Sequence, residues 1–130
     1  MILQTTLALA AAASLMTIWL VFRVAGMRQA TKIAHGDGGN ELLGRRMRAQ
    51  ANFVENTPFI LILVATIELA DKGGTWLAVV GAVYMLGRIS HVFGMDAEGA
   101  PPARVAGALI TLATHLGLAV VAVLIVLKVF

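Results

Sequence analysis

Four residues near the middle of the chain stand at spacings that could hold a charged ligand. Arg45, Arg48, Asn52 and Glu55 follow one another at steps of three, four and three. On a helix those steps share one face over about three turns. Two guanidinium groups, an amide and a carboxylate in a line suit a peptide-like anion with its own amine: carboxylates pair with arginine and an ammonium with glutamate. The plainer reading is an interfacial helix end whose arginines snorkel to lipid headgroups. It accounts for Arg45 and Arg46, but a carboxylate at Glu55 still wants a positive partner, and Arg48 lies seven residues back on the same face.

Three further groups carry polar chemistry. Tyr84, Arg88 and His91 follow at steps of four and three. They read either as part of a ligand site or as an internal network in which Arg88 neutralises Glu55 across a helix interface, and the two readings are compatible. Arg104 comes two residues after Pro102, where a helix is expected to start. There it either snorkels or joins the helix N–H groups in an anion site. His115, with Thr111 and Thr114, reads as an interhelical donor. His35, His91 and His115 fall in three separate segments with no i, i+4 pair, so no metal site is expected.

The elements that must position these residues follow from composition. The chain has 130 residues, 59% of them apolar and 13% charged, with mean hydropathy +0.87. A soluble domain carries roughly a quarter charged residues, and so short a chain has no core large enough to hide this much hydrocarbon from water. These figures exclude a disordered tail, a collagen-like repeat and a disulfide-stapled module. With no cysteine, any sulfur chemistry must arrive on a ligand.

Charge positions divide the chain into four spans. Ile2 to Phe22 is free of charge, and Ala49 to Ile67 carries only Glu55. A third apolar run lies between Lys72 and Arg88, and Val105 to Leu127 holds only His115 as a titratable group. In lipid such runs are helical, because the backbone must satisfy its own hydrogen bonds. The expected architecture is an all-α integral membrane four-helix bundle, one domain over residues 1–130, with helices near 2–25, 44–70, 75–94 and 102–128. The first span has no positive leading region and no polar cleavage zone, so it reads as a retained helix despite the Ala10 to Ala13 run. Polar connections follow at Gly26 to Gly44, at the Asp71 to Gly74 turn, and at Gly94 to Pro102.

Eight of the ten Lys and Arg residues lie at the ends facing the first and third connections, against only Lys72 and Lys128 on the other side. By the positive-inside rule both termini then face away from the cytoplasm. The net charge of +3 is mostly orientation and site charge, with no basic module for nucleic acid.

Here the motifs resemble a known family. The run from Arg45 to Pro58, with Arg48-Ala49, Asn52, Glu55 and Pro58, closely resembles the second-helix signature of the MAPEG family, the membrane-associated proteins in eicosanoid and glutathione metabolism. Arg88 to His91 is similar to the Arg-x-x-His of that family's third helix, and Pro102-Ala103-Arg104 to the Pro-x-Arg that opens its fourth. The resemblance implies a homotrimer of twelve transmembrane helices that binds glutathione as co-substrate, without metal, between neighbouring protomers near the cytoplasmic face. It assigns glutathione binding to Arg28, Arg48, Gln50, Asn52, Glu55, Arg88 and His91, and the catalytic role of stabilising the thiolate to Arg104. The implied activity is a membrane-bound transferase or peroxidase whose thiolate attacks hydrophobic electrophiles or lipid hydroperoxides. The Ala- and Gly-rich, cysteine-free composition points to a bacterial inner membrane as its location.

Two positions depart from the family pattern. Met95 stands where the eicosanoid enzymes have a Tyr, and Ala51 where other members often carry a bulkier or basic residue. Met95 keeps open a non-catalytic protein that binds an anionic lipid or metabolite. A small ion-coupled transporter using Glu55 fits less well, since it wants its charge in mid-span.

Overall fold

The computed structural model describes residues 2–130, which form four helices: α1 (Gln4–Thr31), α2 (Glu41–Leu69), α3 (Thr75–Met95) and α4 (Pro102–Val126). All four are long and apolar enough to cross a membrane. At 1.5 Å per residue α3 is about 32 Å long, close to a hydrocarbon core of about 30 Å. α1 and α2, with 28 and 29 residues, extend about 12–14 Å beyond that core. Their arginine-rich ends thus stand where headgroups and water begin. Large apolar side chains such as Leu15, Phe22, Phe59, Leu112 and Leu116 point outward, as they should toward lipid.

Several boundaries differ from expectation. α1 continues through Gly26 to Thr31, so the first connection shrinks from 26–44 to 32–40. A single helical glycine costs only about 1 kcal/mol, and the helix ends instead at Lys32, which takes the left-handed conformation. α2 starts three residues before the expected 44, because Asn40 caps it: its side chain accepts from the Leu43 N–H at 2.9 Å. α4 stops at Val126, short of 128. α3 begins at the expected 75 and ends one residue past the expected 94.

Interhelical contacts run mainly between α3 and α4 and between α1 and α2; α1 touches α3 only sparsely and does not meet α4. One core cluster is built on Ile60, Val64, Leu77, Tyr84 and Leu118, and a second on Leu20, Ala49, Phe53, Val92 and Met95. At the end away from the arginines, Glu68 of α2 closes the bundle. Its carboxylate accepts from the Thr5 and Thr6 N–H groups at 3.0 and 2.8 Å and from the Thr6 hydroxyl at 2.6 Å. It thereby caps α1, which has no side-chain cap of its own. At the arginine-rich end, Asp96 beyond α3 draws in Arg23 of α1 and Arg46 of α2, and its carbonyl accepts from Arg45 Nε at 3.2 Å.

Close approach of α3 to α4 sets the register of the polar residues. A Cβ on Gly107 would come within 2.5 Å of the Gly87 carbonyl and the His91 Cβ, and one on Gly94 would strike the Arg104 backbone. These absent side chains are what let Arg104 sit beside the end of α3. Gly94→Ala and Gly107→Ala are expected to lower the thermal unfolding midpoint in detergent, each by the equivalent of about 1–3 kcal/mol of overpacking. Gly117→Ala, with nothing within 4 Å of its new Cβ, leaves the midpoint unchanged or raises it.

Candidate functional site

The arginine-rich ends of α2, α3 and α4 surround an open cleft of about 490 Å³. α2 contributes Arg45, Arg48 and Asn52 to its lining, α3 contributes His91 and Met95, and α4 contributes Arg104; Asp37 of the first connection and Glu41 complete the rim. Each arrives for a local reason. Arg45, Arg48 and Asn52 share the helix face that their spacing predicts. Arg104 lies in the first turn of α4, and the Gly94 gap holds it against α3.

Positive charge exceeds negative in the cleft, with Arg45, Arg48 and Arg104 against Asp37 and Glu41. Arg45 leans on Glu41 at 3.6 Å, while Arg104 Nη1 donates to the Gly99 carbonyl at 2.6 Å, which neutralises nothing. Among the described residues Arg48 enters no ion pair, and its side chain is exposed. Arg48 and Arg104 therefore leave a cationic surplus beside an amide and an imidazole. That combination attracts carboxylates and other anions.

Behind the cleft lies Arg88, with 0% exposure. Its Nη2 donates to Asn52 Oδ1 at 2.6 Å and its Nη1 to Thr111 Oγ1 at 2.9 Å; the Thr111 hydroxyl in turn donates to the Gly107 carbonyl at 2.9 Å. The expected neutralisation of Arg88 by Glu55 does not occur. Three residues on from Asn52, Glu55 is turned about 60° from Asn52 toward the outside of the helix, where it is exposed and in no ion pair among the described residues. A neutral amide thus takes the place expected for a carboxylate. Arg88 Nε and His91 Nδ1 are the buried side-chain polar atoms without a partner among the described residues. His91 is 5% exposed and forms part of the cleft wall.

The residues picked out from sequence divide into three sets. Arg48, Asn52, His91 and Arg104 converge on the cleft. Arg88 supports it from behind through Asn52. Arg28, Gln50 and Glu55 do not line it. Gln50 is half-buried and lies about 160° around α2 from Asn52. Arg28 sits in the last turn of α1 and donates to the Ile33 and Gly36 carbonyls at 3.3 and 2.8 Å, which folds the first connection toward the cleft. Tyr84 leaves its sequence companions: its hydroxyl meets that of Thr57 at 2.9 Å in the apolar core. His115 meets Asn56 Oδ1 of α2 at 3.2 Å, an interhelical bond of the kind expected.

Sequence reasoning missed Asp37, Glu41 and Asp96. The signal for Asp37 was visible, an acid among Gly36, Gly38 and Gly39 directly ahead of the helix that bears the arginines. For Asp96 the only signal was an acid at the end of a helix, where the macrodipole disfavours it unless cations gather there.

The Arg88 network makes a direct prediction. Thr111→Val should cost about 1–2 kcal/mol in thermal or denaturant unfolding, since it strips a hydrogen bond from a buried charged donor. In an Arg88→Met background the same substitution should cost almost nothing. Equal costs in the two backgrounds would mean that the Arg88–Thr111 bond contributes no stability.

Comparison with known proteins agrees with the motifs. The inner membrane protein YecN of Escherichia coli, matched in two strains, is 32% identical over 74 residues, 56% of this chain and 56% of that protein. The chain thus spans little more than half the length of these relatives. The model of the MAPEG family matches residues 6–124, nearly the full length and all three motif regions. With four apolar helices, a charged cleft and this match, the chain is an integral membrane protein that belongs to the MAPEG family.

Proposed function

We propose that the protein binds glutathione in the cleft and lowers the pKa of its thiol for attack on hydrophobic electrophiles or lipid hydroperoxides dissolved in the bilayer. The observation that carries this reading is the convergence of Arg48, Asn52, His91 and Arg104, from three helices, on one cleft of about 490 Å³. Its size suits a tripeptide, since small-molecule sites span about 300–1,000 Å³. Glutathione has two carboxylates, an ammonium and a thiol. Arg48 and Arg45 suit the carboxylates, the ammonium suits Glu55 of a neighbouring copy with Asp37 or Glu41 nearby, and Asn52 Nδ2 remains free to donate because Arg88 uses only its carbonyl oxygen.

Arg104 is the thiolate-stabilising group in this reading. A free thiol with a pKa of about 8.5 is about 3% ionised at pH 7. Lowering the pKa to about 6.5 raises that to about three quarters and takes about 2.7 kcal/mol of differential stabilisation. One partly desolvated guanidinium, relieved of competing carboxylates, is of the right strength. The proton leaves to water through the open cleft. The resulting C–S bond forms as the electrophile's leaving group departs. With a hydroperoxide, the thiolate sulfur takes the terminal oxygen as the O–O bond breaks, and the alkoxide picks up a proton from water and leaves as an alcohol. A second glutathione reduces the sulfenic acid to the disulfide and water.

Homotrimeric assembly belongs to the same proposal. Glu55 and Gln50 face away from the cleft, and Arg28 stands on α1 beside the first connection. One protomer therefore leaves three of the implied ligands unused, and a neighbouring copy with its α1 and α2 against this cleft would bring them in. The arginine-rich end then faces the cytoplasm and both termini the other side, as the positive-inside rule requires.

Met95 favours a second reading. An apolar thioether lines the cleft where the eicosanoid enzymes of the family carry a hydroxyl, so an anionic metabolite or lipid headgroup could be held without turnover. Two measurements separate the readings. Glutathione added to the purified protein should raise thiolate absorbance near 240 nm, and Arg104→Ala should abolish most of that rise while binding persists. Calorimetric affinity for glutathione should fall about tenfold or more in Asn52→Ala and Glu55→Ala, the loss of one charge-assisted bond. Binding without a thiolate signal, together with no conjugation of 1-chloro-2,4-dinitrobenzene, would leave the non-catalytic reading standing. No heat on titration would remove glutathione from both.

A further inference from the structure

The sparse contact between α1 and α3 leaves an apolar seam on the flank away from the cleft. Its upper part, about 460 Å³, is lined by Met16, Trp19, Ile89 and Phe93 among others. The lower part, about 200 Å³, passes between Ala8 and Leu9 of α1 and Gly81 and Ala82 of α3. Ala12 and Met85 line both parts, so the two form one groove. From Thr5 to Trp19 it runs about 21 Å at 1.5 Å per residue, longer than the roughly 15 Å of hydrocarbon in one leaflet. Small side chains leave its lower part unfilled, and in a bilayer hydrocarbon must occupy the groove.

The mouth of the groove is not neutral. The Trp19 and Phe93 rings stand 5.4 Å apart, and the Arg23 guanidinium lies over both, at 5.1 and 5.7 Å from their centroids. Arg23 and Arg46 share one carboxylate, that of Asp96, so two cations meet one anion and a positive charge is left over. Among the described residues the Trp19 indole N–H has no acceptor, although Trp76, the other indole, donates to two carbonyls. An indole N–H and guanidinium N–H groups at the headgroup level, directly above an apolar groove, are complementary to a phosphate with an attached chain.

We propose that this seam holds one anionic phospholipid, drawn from the leaflet at the arginine-rich end. One acyl chain lies between α1 and α3, and the phosphate is held by Arg46, Arg23 and the Trp19 indole. A second copy of the chain is a poorer occupant, because it would bring the same cationic rim against this one. None of these residues belongs to the proposed glutathione cleft, so the site stands whether or not that reading does.

The test is lipid retention by the purified protein in nanodiscs of equal phosphatidylglycerol and phosphatidylcholine, followed by native mass spectrometry. Phosphatidylglycerol should be retained about tenfold over phosphatidylcholine, and Arg46→Gln should bring the ratio near one. Ala12→Phe should remove the bound lipid of either kind without touching the Asp96 clamp; Ala82→Leu blocks the same groove from the other wall should the first variant fold poorly. Equal retention of the two lipids by the unaltered protein, or an undiminished ratio in Arg46→Gln, would overturn the proposal. So would loss of the lipid to inorganic phosphate at millimolar concentration, or a change in the number of chains per particle in Ala12→Phe, which would make the seam an interface between copies.

Discussion

A cation sealed inside an apolar bundle with no carboxylate against it is the constraint around which the rest is arranged. Among the described residues Arg88 is held only by an amide oxygen and a hydroxyl, one from each of two neighbouring helices. Removing a guanidinium from water costs several kcal/mol even after relaxation, and two hydrogen bonds recover only part of that. The bundle meets the demand by drawing α2, α3 and α4 to one point, which is why Gly87 and Gly107 must lack side chains where α3 meets α4. The same geometry fixes Asn52 with one side of its amide committed and the other free. A positive field without a built-in counter-ion then extends to the cleft, where Arg48 and Arg104 add to it.

Much of this was legible in the sequence, because charge-free runs in lipid permit little but helices. The four spans, the arginine-rich end and the common face of Arg45, Arg48 and Asn52 all follow from spacing. What was not legible depends on angles between helices. Glu55 and Asn52 are three residues apart and look interchangeable as partners for Arg88; about 60° of rotation decides that the amide faces inward and the acid outward. Gly26 reads as a loop residue, yet its modest helical penalty is outweighed once α2 packs along α1. Glu68 falls just beyond the apolar run that ends at Ile67, and only the approach of the α1 N-terminus turns it into a cap.

The bundle divides its work between two flanks. On the side of α2 and α4 polar side chains converge and leave unused hydrogen-bonding capacity, which invites a hydrophilic ligand. On the side of α1 and α3 small residues leave a groove with hardly any polar lining, which invites a hydrocarbon chain. Asp96 stands between the two. Its carboxylate gathers Arg23 and Arg46 on the seam side, and its backbone carbonyl takes Arg45, which also lines the cleft. An acid at the end of a helix is unfavourable by itself, so its presence argues that tying three helix ends together is worth more than the dipole penalty.

Charge balance also bears on what the cleft selects. Within the protomer, Glu41 offsets Arg45 and the exposed Asp37 lies at the rim, while Arg48, Arg88 and Arg104 have no acidic partner among the described residues. A ligand with one negative charge leaves part of that field unbalanced, whereas a ligand with two carboxylates offsets more of it and is oriented by having two ends to anchor. In the proposed reading such a ligand needs no hydroxyl at Met95 to be held, because the cations supply the attraction. A hydroxyl matters only for the second demand, keeping a thiol ionised, and there Arg104 has the advantage that its one hydrogen bond is to a neutral carbonyl. The absence of a tyrosine at that position therefore bears on turnover far more than on binding.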